Sequence, residues 1–168
     1  MPSRHKICHI AMPAAGRLFV MPRPPSHEIE LIVDSLRQRD VGKIVCLLPS
    51  SEIDELGLVN ERDLCAVKGI DFVHFPIVDF GLPEGRTFAR LAATLAEDLR
   101  QGLSIAIHCR AGIGRTGLLS GCVLKELGYG AADAIAMISK ARGVAIPDTA
   151  EQRQFIEDYA PSNPARQG

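Results

Sequence analysis

The segment that most restricts the fold of this chain is an apolar run, a glycine-containing loop and a helical pattern in direct succession. Residues 103–107 predict a buried central strand, and residues 115–127 have the pattern of a helix that ends at Gly128. The loop between them reads His-Cys-Arg-Ala-Gly-Ile-Gly-Arg-Thr over residues 108–116. A strand that passes through a tight loop into a helix aims several backbone N–H groups into one concavity.

The rest of the chain alternates short β-rich runs with longer helical patterns, and nothing in it suggests a repeat or a linker. We therefore expect one α/β domain over residues 1–168, with a central, mostly parallel sheet flanked by helices and a frayed polar tail from residue 161. Ser26 is expected to cap the first helix, and Thr149 and Gln152 have the spacing of a capping box that opens the last. The strands are predicted at 7–11, 17–20, 43–48, 71–77 and 103–107, and the helices at 26–39, 51–56, 60–68, 84–101, 115–127, 131–142 and 149–159.

The composition limits the kinds of binding partner and the cellular compartment that we expect for this chain. The net charge of −1 gives no polyanion-binding surface, so we expect no nucleic-acid partner, and the apolar runs are too short to cross a membrane. The chain has five cysteines, an odd number that is widely spread, which indicates free thiols and a cytoplasmic location. His5, Cys8 and His9 lack the spacing of a closed metal site. We expect a monomer with no metal and no cofactor.

The loop at 108–116 has the features of a binding site for a tetrahedral anion such as phosphate or sulfate. The N-terminus of the following helix adds a positive dipole. Gly112 and Gly114 permit the positive φ that such an anion nest generally needs. Arg115 is able to fold back over the loop and offer a planar, two-pronged donor to phosphate oxygens. A glycine loop alone is equally typical of a structural turn, so the prediction rests on the Cys, Arg and Thr that accompany the glycines.

The same loop presents a candidate nucleophile, Cys109. A thiol that faces these N–H groups and the helix N-terminus is favoured as the thiolate, which is the reactive form. Attack of a thiolate on phosphorus gives a phosphocysteine intermediate. Thr116 is placed to donate its hydroxyl to the sulfur as the intermediate breaks down, and His108 is expected to brace the loop backbone.

The pattern His-Cys-x5-Arg-Thr resembles the signature loop (P-loop) of the protein-tyrosine-phosphatase superfamily, in the version found in small dual-specificity phosphatases. The segment Pro-Ile-Val-Asp at 76–79 is similar to the one that carries the general acid of that family. The segment 142–152, with Ile146-Pro147 and then Gln152, resembles the one before the family's last helix. These features are most similar to the cyclin-dependent-kinase-associated type and its bacterial relatives, over residues 43–159. The resemblance implies a dual-specificity-phosphatase-like fold and a protein phosphatase activity.

The resemblance also implies roles for four further residues, each with a plainer alternative. Asp79 is the candidate general acid, and it equally suits a turn. Gln152 is either the residue that orients the hydrolytic water or only a member of the capping box. Arg110 faces the substrate rim or pairs with a surface carboxylate. Cys46 is either a redox partner that forms a reversible disulfide with Cys109 or a buried core cysteine.

The expected partner is a phosphoprotein or phosphopeptide that carries phosphotyrosine and also phosphoserine or phosphothreonine. The residues leave open a phosphoinositide or inositol-phosphate phosphatase and an RNA 5′-phosphatase. Neutral Ala111 and Ile113 argue against a multiply charged substrate, whereas Arg110 argues for one. A phosphoprotein-binding pseudophosphatase is the non-enzymatic alternative, but such modules usually lose the nucleophile or the arginine.

Overall fold

The computed structural model describes residues 6–162, and its centre is the predicted apolar strand. The sheet contains β1 (Cys8–Ile10), β2 (Leu18–Met21), β3 (Val41–Cys46), β4 (Asp71–His74) and β5 (Ser104–His108). Its strand order is β1-β2-β5-β3-β4, in which β1 alone runs antiparallel to its neighbour. All five residues of β5 are buried, as a strand covered on both faces requires.

Helices cover both faces of this sheet. One face carries α1 (Ile29–Gln38), α2 (Ser50–Glu55) and α3 (Glu61–Val67) over one buried cluster. The other face carries α4 (Gly85–Arg100), α5 (Gly114–Glu126), α6 (Ala131–Arg142) and α7 (Ala150–Asp158) over a second, larger cluster. The predicted α/β architecture with a mostly parallel sheet is confirmed. Over residues 6–162, none of these helices has the length and apolarity needed to span a bilayer.

Three local predictions differ from the structure. Ser26 does not cap α1, because residues Ser26–Glu28 form a 3₁₀ turn whose closing bond runs from the Glu28 N–H to the Pro25 carbonyl, 3.0 Å apart. Strand β3 begins and ends two residues earlier than predicted. Strand β4 ends at His74 instead of residue 77, although the N–H groups of Phe75 and Ile77 still donate to the carbonyls of Cys46 and Leu47, at 3.0 and 2.9 Å.

The first two residues of the predicted tail, 161 and 162, lie within the described chain, and Ser162 is hydrogen-bonded there. The buried carboxylate of Glu126 on α5 accepts hydrogen bonds from the Tyr159 hydroxyl (2.6 Å) and from the Ser162 hydroxyl (2.9 Å). Lys125 donates to the carbonyls of Ile156 and Tyr159 and so caps the C-terminus of α7. These bonds fix α7 against α5, the helix that follows the loop at residues 108–116. Residues 163–168 of the predicted tail lie outside the described residues.

Candidate active site

The nucleophile candidate lies where the central strand meets the N-terminus of α5. His108 is the last residue of β5, residues 109–113 form the loop, and Gly114 opens the helix. The Cys109 side chain is 2% exposed, and the backbone N–H of Gly112 donates to its sulfur at 3.3 Å. A thiolate here therefore has a backbone donor and a helix N-terminus beside it, as the sequence predicted for an anion nest.

The two loop glycines serve different purposes. Gly112 has φ +72°, and a Cβ on it would lie 2.5 Å from the carbonyl carbon and oxygen of Met21, so only glycine fits. Gly114 was predicted to permit positive φ as well, but it does not adopt it. A Cβ there would instead lie 2.5 Å from a carboxylate oxygen of Asp148 and 3.0 Å from the Gln152 amide oxygen. Gly114 thus provides room for these two side chains against the loop.

Arg115 is buried and held by several acceptors. Its two terminal nitrogens pair with the two carboxylate oxygens of Glu52, at 2.7 and 3.1 Å, and one of them also donates to the Ile77 carbonyl at 3.0 Å. The other lies 3.2 Å from a carboxylate oxygen of Asp79. Burial would lower the pKa of Arg115, but hydrogen bonding to Glu52 and the negative charges of Cys109, Glu52 and Asp79 raise it overall. The guanidinium is therefore fixed and charged beside the thiol.

Glu52, which orients Arg115, was missed by the sequence reasoning. It lies in α2, directly after β3, and β3 is the parallel neighbour of β5. Because the carboxyl ends of parallel strands meet at one edge of a sheet, an acidic residue just after β3 comes close to the loop that follows β5. That placement is the signal in the sequence, but it becomes visible only once the strand order is known.

Asp79 lies in the loop after β4, at the same edge of the sheet. Its side chain is 42% exposed, one carboxylate oxygen accepts the Phe80 N–H at 3.1 Å, and the same oxygen contacts Arg115. Phe80 has φ +57°, an uncommon conformation for a bulky residue, and it is exposed. The structure thus places Asp79 in contact with Arg115 and leaves the Asp79 carboxylate partly exposed to solvent.

Thr116 and Gln152 contribute buried polar atoms next to the loop. The Thr116 hydroxyl and the Gln152 amide nitrogen have no hydrogen-bond partner within residues 6–162. The capping box is confirmed, since Gln152 N–H donates to the Thr149 hydroxyl at 3.1 Å and the Thr149 N–H donates to the Gln152 amide oxygen at 3.3 Å. Because Gln152 also lies against Gly114, its capping role and a role at the loop are compatible.

His108 braces the loop as predicted, and it has a partner that was not predicted. One ring nitrogen lies 3.2 Å from the Cys109 carbonyl oxygen, and the other lies 2.7 Å from a carboxylate oxygen of Glu61. Both side chains are buried. Burial lowers the pKa of His108, but the charge of Glu61 and hydrogen bonds to Cys46 and Glu61 together hold it well above its usual value.

The structure does not bring Cys46 together with Cys109. Cys46 lies opposite His108 in the β3–β5 ladder and packs in the cluster under α1–α3, whereas Cys109 belongs to the cluster under α4–α7. The two side chains therefore point to opposite faces of the sheet. The placement supports the alternative that Cys46 is a buried core cysteine, and all five cysteines are free thiols.

Two arginines make polar contacts on the outer side of the loop. Arg110 pairs with Glu55 at 3.3 Å and approaches Glu52 at 3.7 Å, which matches the carboxylate-pairing alternative. Arg142, at the end of α6, donates to the carbonyls of Ala111 and Gly112, each at 3.0 Å. Because Arg142 holds these carbonyls on the outside, the N–H groups of the loop are directed to its inner side, where Cys109 lies. Nothing local to Arg142 in the sequence shows which loop it contacts.

We predict that Gly112→Ala strongly weakens the binding of inorganic phosphate to the loop. The added Cβ overlaps the Met21 carbonyl and the φ of +72° is strained for alanine, so we expect about 100-fold weaker binding of inorganic phosphate and a loss of about 1–3 kcal/mol in unfolding free energy. Calorimetric titration and urea denaturation measure the two quantities. Gly130→Ala is the matched control, since a Cβ there meets nothing within 4 Å, and unchanged phosphate affinity in Gly112→Ala would contradict the role of this glycine.

The chain is similar in sequence to known proteins. Cyclin-dependent kinase inhibitor 3 of Rattus norvegicus is 25% identical over 133 residues, which are 78% of this chain and 63% of that protein. PRL-1 phosphatase of Drosophila melanogaster is 28% identical over 148 residues, 86% of this chain and 78% of that protein. The chain thus spans less than two thirds of the rat protein and more than three quarters of the fly protein.

Solved structures share the fold. A crystal structure of kinase associated phosphatase (KAP), with serine in place of its catalytic-site cysteine, superposes with a TM-score of 0.82 at 20% identity and covers 94% of this chain and 95% of that chain. The active form of Tk-PTP gives a TM-score of 0.72 at 23% identity, covering 95% of this chain and 100% of that chain.

A family model covers most of the sheet and the whole loop. It is described as Tc-R-P, polymorphic toxin system, DSP-PTPase phosphatase, and it matches residues 21–128, from the end of β2 through α5. Since this segment is well over half of the chain and includes β5, the loop and α5, the chain belongs to the DSP-PTPase phosphatase family of polymorphic toxin systems.

Proposed function

We propose that this chain is a cysteine-dependent phosphatase that hydrolyses phosphate monoesters on proteins through a phosphocysteine intermediate. The observation that carries the proposal is that the Cys109 thiol and the Arg115 guanidinium lie side by side at the loop. The thiol accepts a backbone N–H of the loop, and the buried guanidinium is held beside it by Glu52. A fixed cation and convergent N–H groups around a nucleophile suit the transfer of a phosphoryl group, in which charge stabilisation is the main task of the protein.

In the first step the Cys109 thiolate attacks phosphorus, so that an S–P bond forms and the bond to the ester oxygen breaks. Loop N–H groups and Arg115 stabilise the equatorial oxygens. The contact of Arg115 with Asp79 is exchangeable because that carboxylate is partly exposed. Asp79 turns away from Arg115, takes up a proton from solvent, and gives that proton to the ester oxygen, so the leaving group departs neutral.

In the second step water attacks the phosphocysteine, and the S–P bond breaks to release inorganic phosphate and the Cys109 thiolate. Asp79, now a carboxylate, takes the proton of the water. The unpartnered amide nitrogen of Gln152, which lies against Gly114, orients this water. The unpartnered Thr116 hydroxyl donates to the sulfur as it leaves. Both orphaned polar groups thus gain partners in the reaction.

The charge around the loop favours a phosphoprotein over a polyanionic lipid or RNA. Arg110 is the exposed cation of the loop, and Glu52 and Glu55 already balance it. Ala111 and Ile113 are neutral. We therefore propose phosphotyrosine, phosphoserine and phosphothreonine in proteins as substrates. The mechanism needs Cys109 reduced, so the proposal includes a reducing compartment such as the cytoplasm, where the five free thiols also persist.

Hydrolysis of para-nitrophenyl phosphate in the presence of a metal chelator tests the mechanism. We expect Cys109→Ser to lower kcat by at least about 10⁴-fold, because a serine hydroxyl is not ionised at neutral pH. Asp79→Asn is expected to lower kcat by about 10²–10⁴-fold and to remove the fall in activity at alkaline pH, since that fall reports loss of the acid's proton. Asp148→Asn is the matched control, because this carboxylate also lies at the loop.

The outcomes separate the alternatives. If Asp148→Asn, and not Asp79→Asn, removes the alkaline fall, the assignment of the acid is wrong. If wild type binds phosphate under reducing conditions but does not turn over the ester, the chain is a phosphoprotein-binding pseudophosphatase.

Gln152 is tested through the lifetime of the intermediate. We expect Gln152→Ala to slow hydrolysis of the phosphocysteine by about 10-fold, so that rapid-quench experiments trap more labelled phosphoenzyme than in wild type. Thr149→Ala breaks the same capping box but keeps the amide, and it is expected to lower stability without prolonging the intermediate. Equal effects of the two variants on the lifetime would show that Gln152 acts only as a cap.

Substrate range is tested on matched phosphopeptides. The apolar residues Val78, Phe80 and Leu82, on and after the loop that carries Asp79, are exposed, which favours a shallow cleft over a deep pocket. We expect kcat/KM for phosphotyrosine, phosphoserine and phosphothreonine peptides to agree within about 100-fold. Exclusive turnover of phosphotyrosine, or a phosphoinositide turned over faster than every peptide, would refute this substrate class.

A further inference from the structure

A proline-rich segment, residues 21–25, joins β2 to the 3₁₀ turn and takes no part in the proposed hydrolysis. It reads Met-Pro-Arg-Pro-Pro. Each proline ring fixes φ at about −65° and removes a backbone donor. Pro25, for example, has the extended φ and ψ of −63° and 139°. The segment is therefore stiff, and it presents Arg23 from a backbone with little conformational freedom.

This segment lies along one side of the loop at residues 108–116. Strand β2 is a parallel neighbour of β5, with Met21 opposite His108, so both chains leave the same edge of the sheet in the same direction. Beyond that edge the Arg23 N–H donates to the Arg110 carbonyl at 3.1 Å. Arg23 is thereby placed beside the residue that directly follows the nucleophile.

The carboxylates of the site lie on the other side of the loop. In the strand order β2-β5-β3-β4, Glu52 follows β3 and Asp79 follows β4. The Arg110 side chain is directed to that side, where it pairs with Glu55 at 3.3 Å and approaches Glu52 at 3.7 Å. The β2 side of the loop therefore carries a cation, Arg23, that these acidic residues do not balance.

The Arg23 side chain makes a single weak contact within residues 6–162. One terminal nitrogen lies 3.5 Å from the Pro24 carbonyl oxygen, at the outer limit of a hydrogen bond, and no carboxylate of these residues pairs with the guanidinium. A guanidinium has five N–H donors, so most of them lack a protein acceptor. Arg23 is partly buried, and a carboxylate or a phosphate would match two of its donors at once.

We propose that Arg23 forms a second anion subsite, which binds an acidic group of the substrate close to the phosphate that Cys109 attacks. This inference rests on the proposed function and narrows its substrate class to phosphopeptides that carry a further anion near the phosphoresidue. An extended peptide advances about 3.3–3.6 Å per residue, so a group held beside Arg110 lies within about three residues of the phosphoresidue. The anion is the carboxylate of Asp or Glu, or a second phosphate, since both fit a guanidinium in a two-pronged manner.

The subsite acts on substrate binding and not on the chemical step. The anion at Arg23 keeps its charge while the phosphoryl group is transferred, so the contact is equally strong in the bound substrate and in the transition state. Loss of such a uniform interaction raises KM and leaves kcat unchanged. An exposed ion pair contributes little, whereas a two-pronged pair held by a stiff backbone contributes more. We therefore expect a preference of about three- to tenfold in kcat/KM.

Paired phosphotyrosine peptides test the subsite. One glutamate is moved through the positions up to about three residues on either side of the phosphotyrosine, and each peptide is compared with its glutamine counterpart. In wild type we expect kcat/KM to be about three- to tenfold higher with glutamate at the best position, through a lower KM. Arg23→Gln should bring this ratio to about 1, and Arg23→Glu should favour lysine over glutamine at the same position.

Arg37→Gln is the matched control. Arg37 is exposed in the last turn of α1, which leads to the start of β3, at the edge of the sheet opposite the loop. The same loss of charge there should leave the ratio of glutamate to glutamine peptides unchanged. Because the ratio is taken within each variant, a general loss of stability or activity in Arg23→Gln lowers both rates and does not imitate the expected result. Arg23→Gln also keeps the backbone N–H that donates to Arg110.

A phosphoserine in place of the glutamate tests the second source of the anion. Arg23→Gln should remove whichever of the two preferences wild type shows. A wild-type ratio near 1 at every position for both anions, or equal ratios in wild type and Arg23→Gln, overturns the inference. A dependence on Arg23 that is seen with phosphatidylinositol bisphosphate in vesicles but with no peptide also overturns it.

The same measurements separate this inference from the proposed function. Wild type that hydrolyses phosphopeptides with no dependence on Arg23 refutes the subsite alone. Wild type that hydrolyses neither a phosphopeptide nor para-nitrophenyl phosphate refutes the proposed function, and the subsite with it.

Discussion

A buried arginine is the constraint on which the rest of the site depends. Arg115 is 2% exposed, and a guanidinium removed from water is costly unless its donors are matched. Glu52 matches two of them in a bidentate pair, and the Ile77 carbonyl and Asp79 take others. These partners come from the segments that follow β3 and β4. The strand order places both segments beside the loop after β5, so the parallel sheet itself assembles the surroundings of Arg115.

Arg115 and His108 are paired in the same way. Each has a glutamate partner from the α1–α3 side, Glu52 and Glu61, whose negative charge raises the pKa of that side chain. Asp79 differs, because it is partly exposed and lies on an irregular loop. A rigid charge is suited to stabilising a transition state, whereas a proton donor must exchange its proton with solvent between steps. The difference in burial between the glutamates and Asp79 therefore fits the difference in their proposed tasks.

The local sequence pattern was sufficient to predict the fold and the loop at the centre of the candidate site. The apolar run at 103–107, the loop at 108–116 and the capping box of Thr149 and Gln152 depend on contacts between residues close in sequence, and the structure has them as expected. Glu52, Glu61 and Arg142 were not predictable in this way, since their partners are between 30 and 63 positions distant. Cys46 shows the limit most clearly. Its strand does lie beside β5, but the register directs its side chain to the other face, and a shift of one residue would have reversed that outcome.

Helix α7 and the residues that follow it, up to Ser162, are connected to the loop at residues 108–116 through α5. This helix begins at the loop and ends at Glu126, whose carboxylate holds Tyr159 and Ser162, so α7 has a fixed position relative to the loop. Gln152, in the first turn of α7, is thereby held against Gly114 with its amide nitrogen unpaired. Because a buried unpaired donor costs free energy in a purely structural role, the unpaired amide nitrogen of Gln152 supports the proposal that this residue orients the hydrolytic water. Under that proposal, the anchor at Glu126 affects hydrolysis as well as stability.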